Sequence, residues 1–195
     1  MKLSKIKTLI NERKTAEIVR DDSGAQWIGD GLSLYSADAD IEFCEENILA
    51  ILDIERIKHK QYSVYERGIA SQVLGIEPHP REIKLYPDFS VDYLGNLITL
   101  MHTEDGLVVA VNQKRIAPAD GKVTLEFTLR PSIDGSYVVA CYEGMLCTGL
   151  IVPEDSRIGD TIMKWMQNAI NQPMGYINMA KAEPEEQPEQ MEIGE

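Results

Sequence analysis

At 195 residues, with 44% hydrophobic and 26% charged side chains, the chain is long enough for one well-packed domain and is not of disordered composition. Its formal net charge of −13 excludes nucleic-acid binding by bulk attraction, which needs clustered Lys and Arg. No run approaches the roughly 18–20 apolar residues of a membrane span, the N-terminus lacks a secretory apolar stretch, and three cysteines make no disulfide framework; a cytoplasmic protein without membrane contact is expected.

Residues 3–13 place Leu3, Ile6, Leu9 and Ile10 on one face of a short amphipathic helix. Its Lys5, Lys7 and Lys14 flank that stripe, as lysine stems do along the edges of a packed face. A strand at 15–20, an Asp-Ser-Gly turn, a strand through Trp27 and Ile28 and the triplet Gly29-Asp30-Gly31 leading into "LSLY" read as a small meander. One aspartate between two glycines, with no Lys and no following helix, makes a turn rather than a phosphate loop. Residues 21–55 carry ten acidic side chains and no Lys or Arg, and the carboxylates ahead of an apolar run predict a helix over about 43–53.

Over 54–92 the sequence predicts a strand at "QYSVYERG" and a Pro-rich loop at "EPHPREIKLYPD". Five strand-like runs follow: "LITLMHT", "LVVAVNQKRI", "KVTLEFTLR", "SYVVACYEG" and "MLCTGLIVP". Hairpin turns separate them, which favours an antiparallel sheet. A helix over about 157–171 carries Ile158, Ile162, Trp165, Met166, Ala169 and Ile170 as its stripe. The Glu- and Pro-rich tail from 176 onward reads as disordered. The expected fold is α+β, with antiparallel meanders, a helix at each end and one internal helix. It forms a single unit over 1–175, divisible into helix-plus-meander halves at 1–67 and 93–175 with a linker at 68–92.

The chemistry-bearing residues are sparse. Asp38, Asp40 and Glu42 would share one face of an extended segment and could hold Mg²⁺ or Ca²⁺ in an enzyme. An EF-hand is excluded, because the sixth position is Phe43 and the twelfth Leu49. With Glu143-Gly144 as a two-residue turn, Cys141 and Cys147 point to opposite sides of the sheet and cannot share a zinc. His59, His102 and His79 stand apart, and no nucleophile, P-loop or dinucleotide motif is present. No catalytic residue and no cofactor is expected, and a protein that acts by binding is favoured.

Trp27, Ile28, Asp30, Gly31 and Tyr35, followed by an acidic helix and Leu52-Asp53-Ile54, resemble a family of uncharacterised prophage proteins of Gram-positive bacteria. The similarity covers about 30 residues and implies a bacterial host cell but no activity. In texture, "EDGLVVAVNQKRI" and "GSYVVACYEGMLCTGLIVP" resemble a strand and the closing hairpin of a DNA sliding clamp domain. That resemblance implies paired helix-plus-meander units, a homo-oligomeric ring, and DNA held by encirclement, with Lys5, Lys7, Lys14, Lys114 and Arg115 facing it. The chain is short for two full clamp domains. The alternative is an acidic mimic of nucleic acid that inhibits a basic host or defence protein, with Trp27, Asp30, Tyr35, Asp38, Asp40, Glu42, Glu45 and Glu46 as the contact surface.

Overall fold

A computed structural model describes residues 2–21, 24–37, 40–68, 80–119, 121, 124–132 and 135–171. The chain divides into two units, Met1–Asp160 and Thr161–Glu195. The described part of the second unit, 161–171, is helix throughout, and the expected tail at 176–195 lies outside the described residues.

The first unit is α+β. Helix α1 (Leu3–Arg13) is followed by β1 (Thr15–Arg20), β2 (Gln26–Gly29) and β3 (Ser33–Ser36). Then come one helical turn, α2 (Ile48–Ile51), a 3₁₀ turn (Arg56–Gln61) and β4 (Ser63–Gly68). Strands β5 (Ile83–Tyr93), β6 (Asn96–His102) and β7 (Val108–Asn112) lead to a second short helix, α3 (Gln113–Ile116). Strands β8 (Leu125–Pro131), β9 (Tyr137–Glu143) and β10 (Leu146–Ile151) complete the sheet, and helix α4 (Ser156–Asn171) begins in this unit.

All ten strands form one mixed sheet in the order β4-β1-β2-β3-β10-β9-β8-β5-β6-β7. Every neighbouring pair is antiparallel except β1 and β4. The period-2 side-chain alternation sends Ile18, Ile28, Tyr35, Val139, Cys141 and Ile151 to one face, where Ile6, Leu9 and Ile10 of α1 close the main core. Val19, Trp27, Ala140, Tyr142, Cys147 and Leu150 form a second buried cluster on the other face.

The sheet contains an internal two-fold relation. The series α1-β1-β2-β3 and α3-β8-β9-β10 meet through their last strands, with Leu34 opposite Leu150 at the antiparallel seam. Ile116 of α3 packs against the same core as α1, so both helices lie on one face. The correspondence ends at β1 and β8, because β4 runs parallel to β1 whereas β5 runs antiparallel to β8.

Four expectations need correction. The helix over 43–53 is a single turn, because Phe43 is held at both backbone groups by the Gln26 side chain: its N–H donates to Oε1 at 2.9 Å and its carbonyl accepts from Nε2 at 2.8 Å. That strand-like pairing forbids a helix start at Phe43. The helix then stops at Asp53, whose φ of 52° lets Ile54 N–H close back on the Leu49 carbonyl. The Pro-rich stretch expected to be a loop passes at Ile83 into the eleven-residue strand β5, and residues 69–79 of the expected linker lie outside the described residues. Its residues 83–85 pair with β8 and 86–93 with β6, and a bulge lies between Pro87 and Phe89, just past the change of partner. Run 107–116 is a strand that turns into helix α3 at Gln113. The last hairpin turns at Gly144-Met145 rather than Glu143-Gly144, pairing Cys147 with Tyr142 and, after a bulge, Gly149 with Cys141. Cys141 and Cys147 still face opposite sides, one in each buried cluster.

Candidate functional site

The Gly-Asp-Gly triplet is an anchor buried under the turn. Asp30 is fully buried, and its Oδ1 accepts from Leu32 N–H, Ser33 N–H and the Ser33 hydroxyl at 3.1, 2.9 and 2.8 Å. Nη1 of Arg115 donates to both carboxylate oxygens, at 2.9 and 2.7 Å, reaching across 85 positions of sequence. Arg13 adds a bond from Nε to the Asp30 carbonyl at 3.1 Å. Glycine is required at 29, because a Cβ there would stand 1.6 Å from the Ser33 carbonyl oxygen, and at 31, where φ is +84°. Tyr35 is also fully buried, and its hydroxyl donates to the Arg115 carbonyl at 2.6 Å. Burial drives its phenol well above the ordinary range. Trp27 is enclosed in the second cluster, its indole N–H buried without a hydrogen-bond partner. These three expected contact residues therefore build the frame from within and present no surface.

Among the described residues, the other carboxylates of 21–55 divide into buried, paired and unpaired exposed groups. Asp21 is buried and caps its own turn by accepting from Ala25 N–H at 3.0 Å. Glu42, Asp53 and Glu55 each lie beside a cation, at 3.7 Å from Arg20, 3.1 Å from Lys7 and 2.9 Å from Lys58. Asp40, Glu45 and Glu46 are exposed, and none of them has an ion-pair partner among the described residues. Asp38 lies outside the described residues. Among the described residues no group of three or more His, Cys, Asp or Glu could hold a metal ion. None of the described helices is long and apolar enough to cross a membrane.

The five expected DNA-facing cations divide sharply. Arg115 is spent on Asp30, Lys7 on Asp53, and Lys114 on Glu12 at 2.9 Å. Lys14 lies 4.7 Å above the Tyr62 ring and donates to its hydroxyl at 3.1 Å. Lys5 alone of the five is exposed with no partner among the described residues. It borders a groove of about 430 Å³ between α1, α3 and the β5–β6 turn, which Leu9, Leu97 and Ala117 make apolar and Lys114 borders on the α3 side.

Two arrangements escape sequence reasoning. On the second face Glu82, nearly buried, accepts from Thr128 Oγ1, Arg130 Nε and the Tyr142 hydroxyl at 2.6, 2.6 and 2.8 Å. Burial first, and then the bond to Glu82, pushes the Tyr142 phenol far up, so its hydroxyl serves this network as a hydrogen-bond donor. The other is the 3₁₀ turn "RIKHKQ", which carries Arg56, Lys58, His59 and Lys60 around an Ile57 that is 85% exposed. Its signal was present in the sequence as four basic-type side chains within six residues, directly after the segment without any. Comparison of the chain with family models, curated proteins and solved structures finds no match in any of the three.

Proposed function

We propose that the protein is a non-enzymatic binding protein of phage type that serves DNA metabolism as a sliding-clamp-like factor. The observation that supports this reading is the two-fold relation within the sheet, in which two helix-plus-meander series join through β3 and β10 and keep both helices on one face. A scaffold of this kind has its helices available for one ligand and its sheet edges for assembly. The groove between α1 and α3 bears Lys5 and Lys114 on that same helical side. The acidic mimic finds less support, since five of the eight described carboxylates of 21–55 are buried or paired.

Light scattering over a wide concentration range, with retention on circular against linearised DNA, tests the reading. A clamp-like factor forms a closed symmetric oligomer and, once loaded, is retained on the circle and lost from the open ends. A strict monomer at every concentration removes it.

A further inference from the structure

Besides Lys5 of α1, unpaired cations stand together on the 3₁₀ turn. Most described arginines and lysines have a carboxylate beside them, as in Arg20–Glu66, Arg67–Glu17, Lys114–Glu12 and Arg157–Asp155. In the 3₁₀ turn, Arg56 and Lys60 are exposed and have no such partner among the described residues. A chain with 32 acidic residues leaves these two uncompensated on one six-residue turn.

The turn is held firmly. His59 Nε2 bonds the Ile54 carbonyl at 2.8 Å, and Ile54 and Leu52 are buried in the core. Tyr62, which ends the turn, bonds Asn11 of α1, and Lys14 lies over its ring. Lys7 reaches the same segment through the Asp53 carbonyl at 2.7 Å. Arg56, Lys58 and Lys60 thus share one turn whose flanking residues Asp53 and Tyr62 meet Lys7 and Lys14, while Lys58 is paired with Glu55. Six residues of 3₁₀ helix rise about 12 Å, the axial length of three to four phosphates on one DNA strand. The negative charge of the rest of the chain is little felt there, since at 0.1 M salt charges beyond about 10 Å are largely screened.

We propose that the 3₁₀ turn Arg56–Gln61, together with Lys14, is a docking surface for the phosphate backbone of duplex DNA, without base readout. Lysines and arginines on a short turn offer phosphate contacts and no element that enters a groove. The choice of DNA among polyanions rests on the clamp-like reading. An anionic membrane fits less well, because one exposed aliphatic side chain, Ile57, is little to bury in lipid.

The experiment is fluorescence anisotropy of a labelled 30-base-pair duplex with the full chain, at protein concentrations up to about 10⁻⁴ M and salt from 50 to 200 mM. Four engaged cations give a slope of log K against log salt of about −3.6, so affinity falls about a hundredfold over that range. In Arg56→Gln/Lys60→Gln the slope halves to about −1.8 and the fall is about tenfold, while Lys84→Gln on β5 leaves it unchanged. Both altered side chains are exposed, and a thermal melt of the double variant confirms the fold. Equal slopes for the wild type and the double variant overturn the proposal. So does an absence of DNA binding, and so does binding to phosphatidylserine vesicles in its place. A monomer that still binds DNA with the expected slopes sinks the clamp-like reading and leaves this surface standing, whereas a ring whose slope ignores Arg56 and Lys60 does the reverse.

Discussion

Replacing Asp30 by Asn removes one charge from the centre of the molecule and leaves the shape almost unchanged. Asn can keep Oδ1 as acceptor for Leu32, Ser33 and the Ser33 hydroxyl, but its amide nitrogen then meets Nη1 of Arg115, donor against donor. The Arg115 side chain is only 12% exposed, so its charge is left poorly solvated. Breaking a buried pair from one side costs about 3–5 kcal/mol. Arg13 Nε, 3.8 Å from the same carboxylate and more exposed, loses little. Against a total stability of about 5–15 kcal/mol, the loss lowers the melting temperature by about 6–20 °C. Urea denaturation of Asp30→Asn, Arg115→Met and the double variant measures it. In the double variant no charge is stranded, so it should be no less stable than Asp30→Asn, with a coupling of about 2 kcal/mol or more. A shift below about 1 kcal/mol for Asp30→Asn, or strict additivity, refutes the view that this pair joins the two halves.

Other outcomes follow from single positions. Gly29→Ala should fail to fold or lose more than about 3 kcal/mol in a denaturation midpoint, because its Cβ would fall 1.6 Å from a backbone oxygen that cannot yield. Of the three thiols, half-exposed Cys44 should react with a disulfide reagent in the native protein, while Cys141 and Cys147, buried on opposite faces, should react only on unfolding. The Cys147 thiol, pushed up to about 11 by burial, should resist even at pH 9; mass spectrometry of the labelled protein reads all three. Asp155, whose carboxyl the Arg157 side chain holds down at about 2, should show an NMR titration midpoint near that value. Its folded pKa lies below the unfolded one, so whatever stability it lends is present above about pH 4 and is lost as pH falls from there towards 2. Arg157→Gln should raise the midpoint towards the ordinary range.

The strands that read as short apolar runs between turn signals were legible from residues alone, as in 97–102 and 137–143, and so was the turn at Gly29-Asp30-Gly31. Strand β5 was not, because Pro87 reads as a break. It is tolerated beside the bulge that separates it from Phe89, where the ladder is already interrupted. The short α2 was misread because the feature that prevents a helix at Phe43 is a side chain seventeen residues away, Gln26. Likewise nothing local marks Arg115 as the partner of Asp30, since only the fold brings positions 85 residues apart together. The basic turn at 56–61 was visible as a charge run, whereas the loss of Lys7, Lys114 and Arg115 to internal partners was not.

The β3–β10 seam has a further consequence. Strand meets strand there as an edge would meet its own copy across a rotation axis, and three residue pairs carry the join. A peptide of half this length, with one helix and one three-stranded meander, would expose the same edge to a twin and could build the centre of this sheet as a homodimer. In the present chain the two series differ in their helices, one of eleven residues and the other of four. The buried aspartate of the first series pairs with the arginine of the second, a contact between unlike partners.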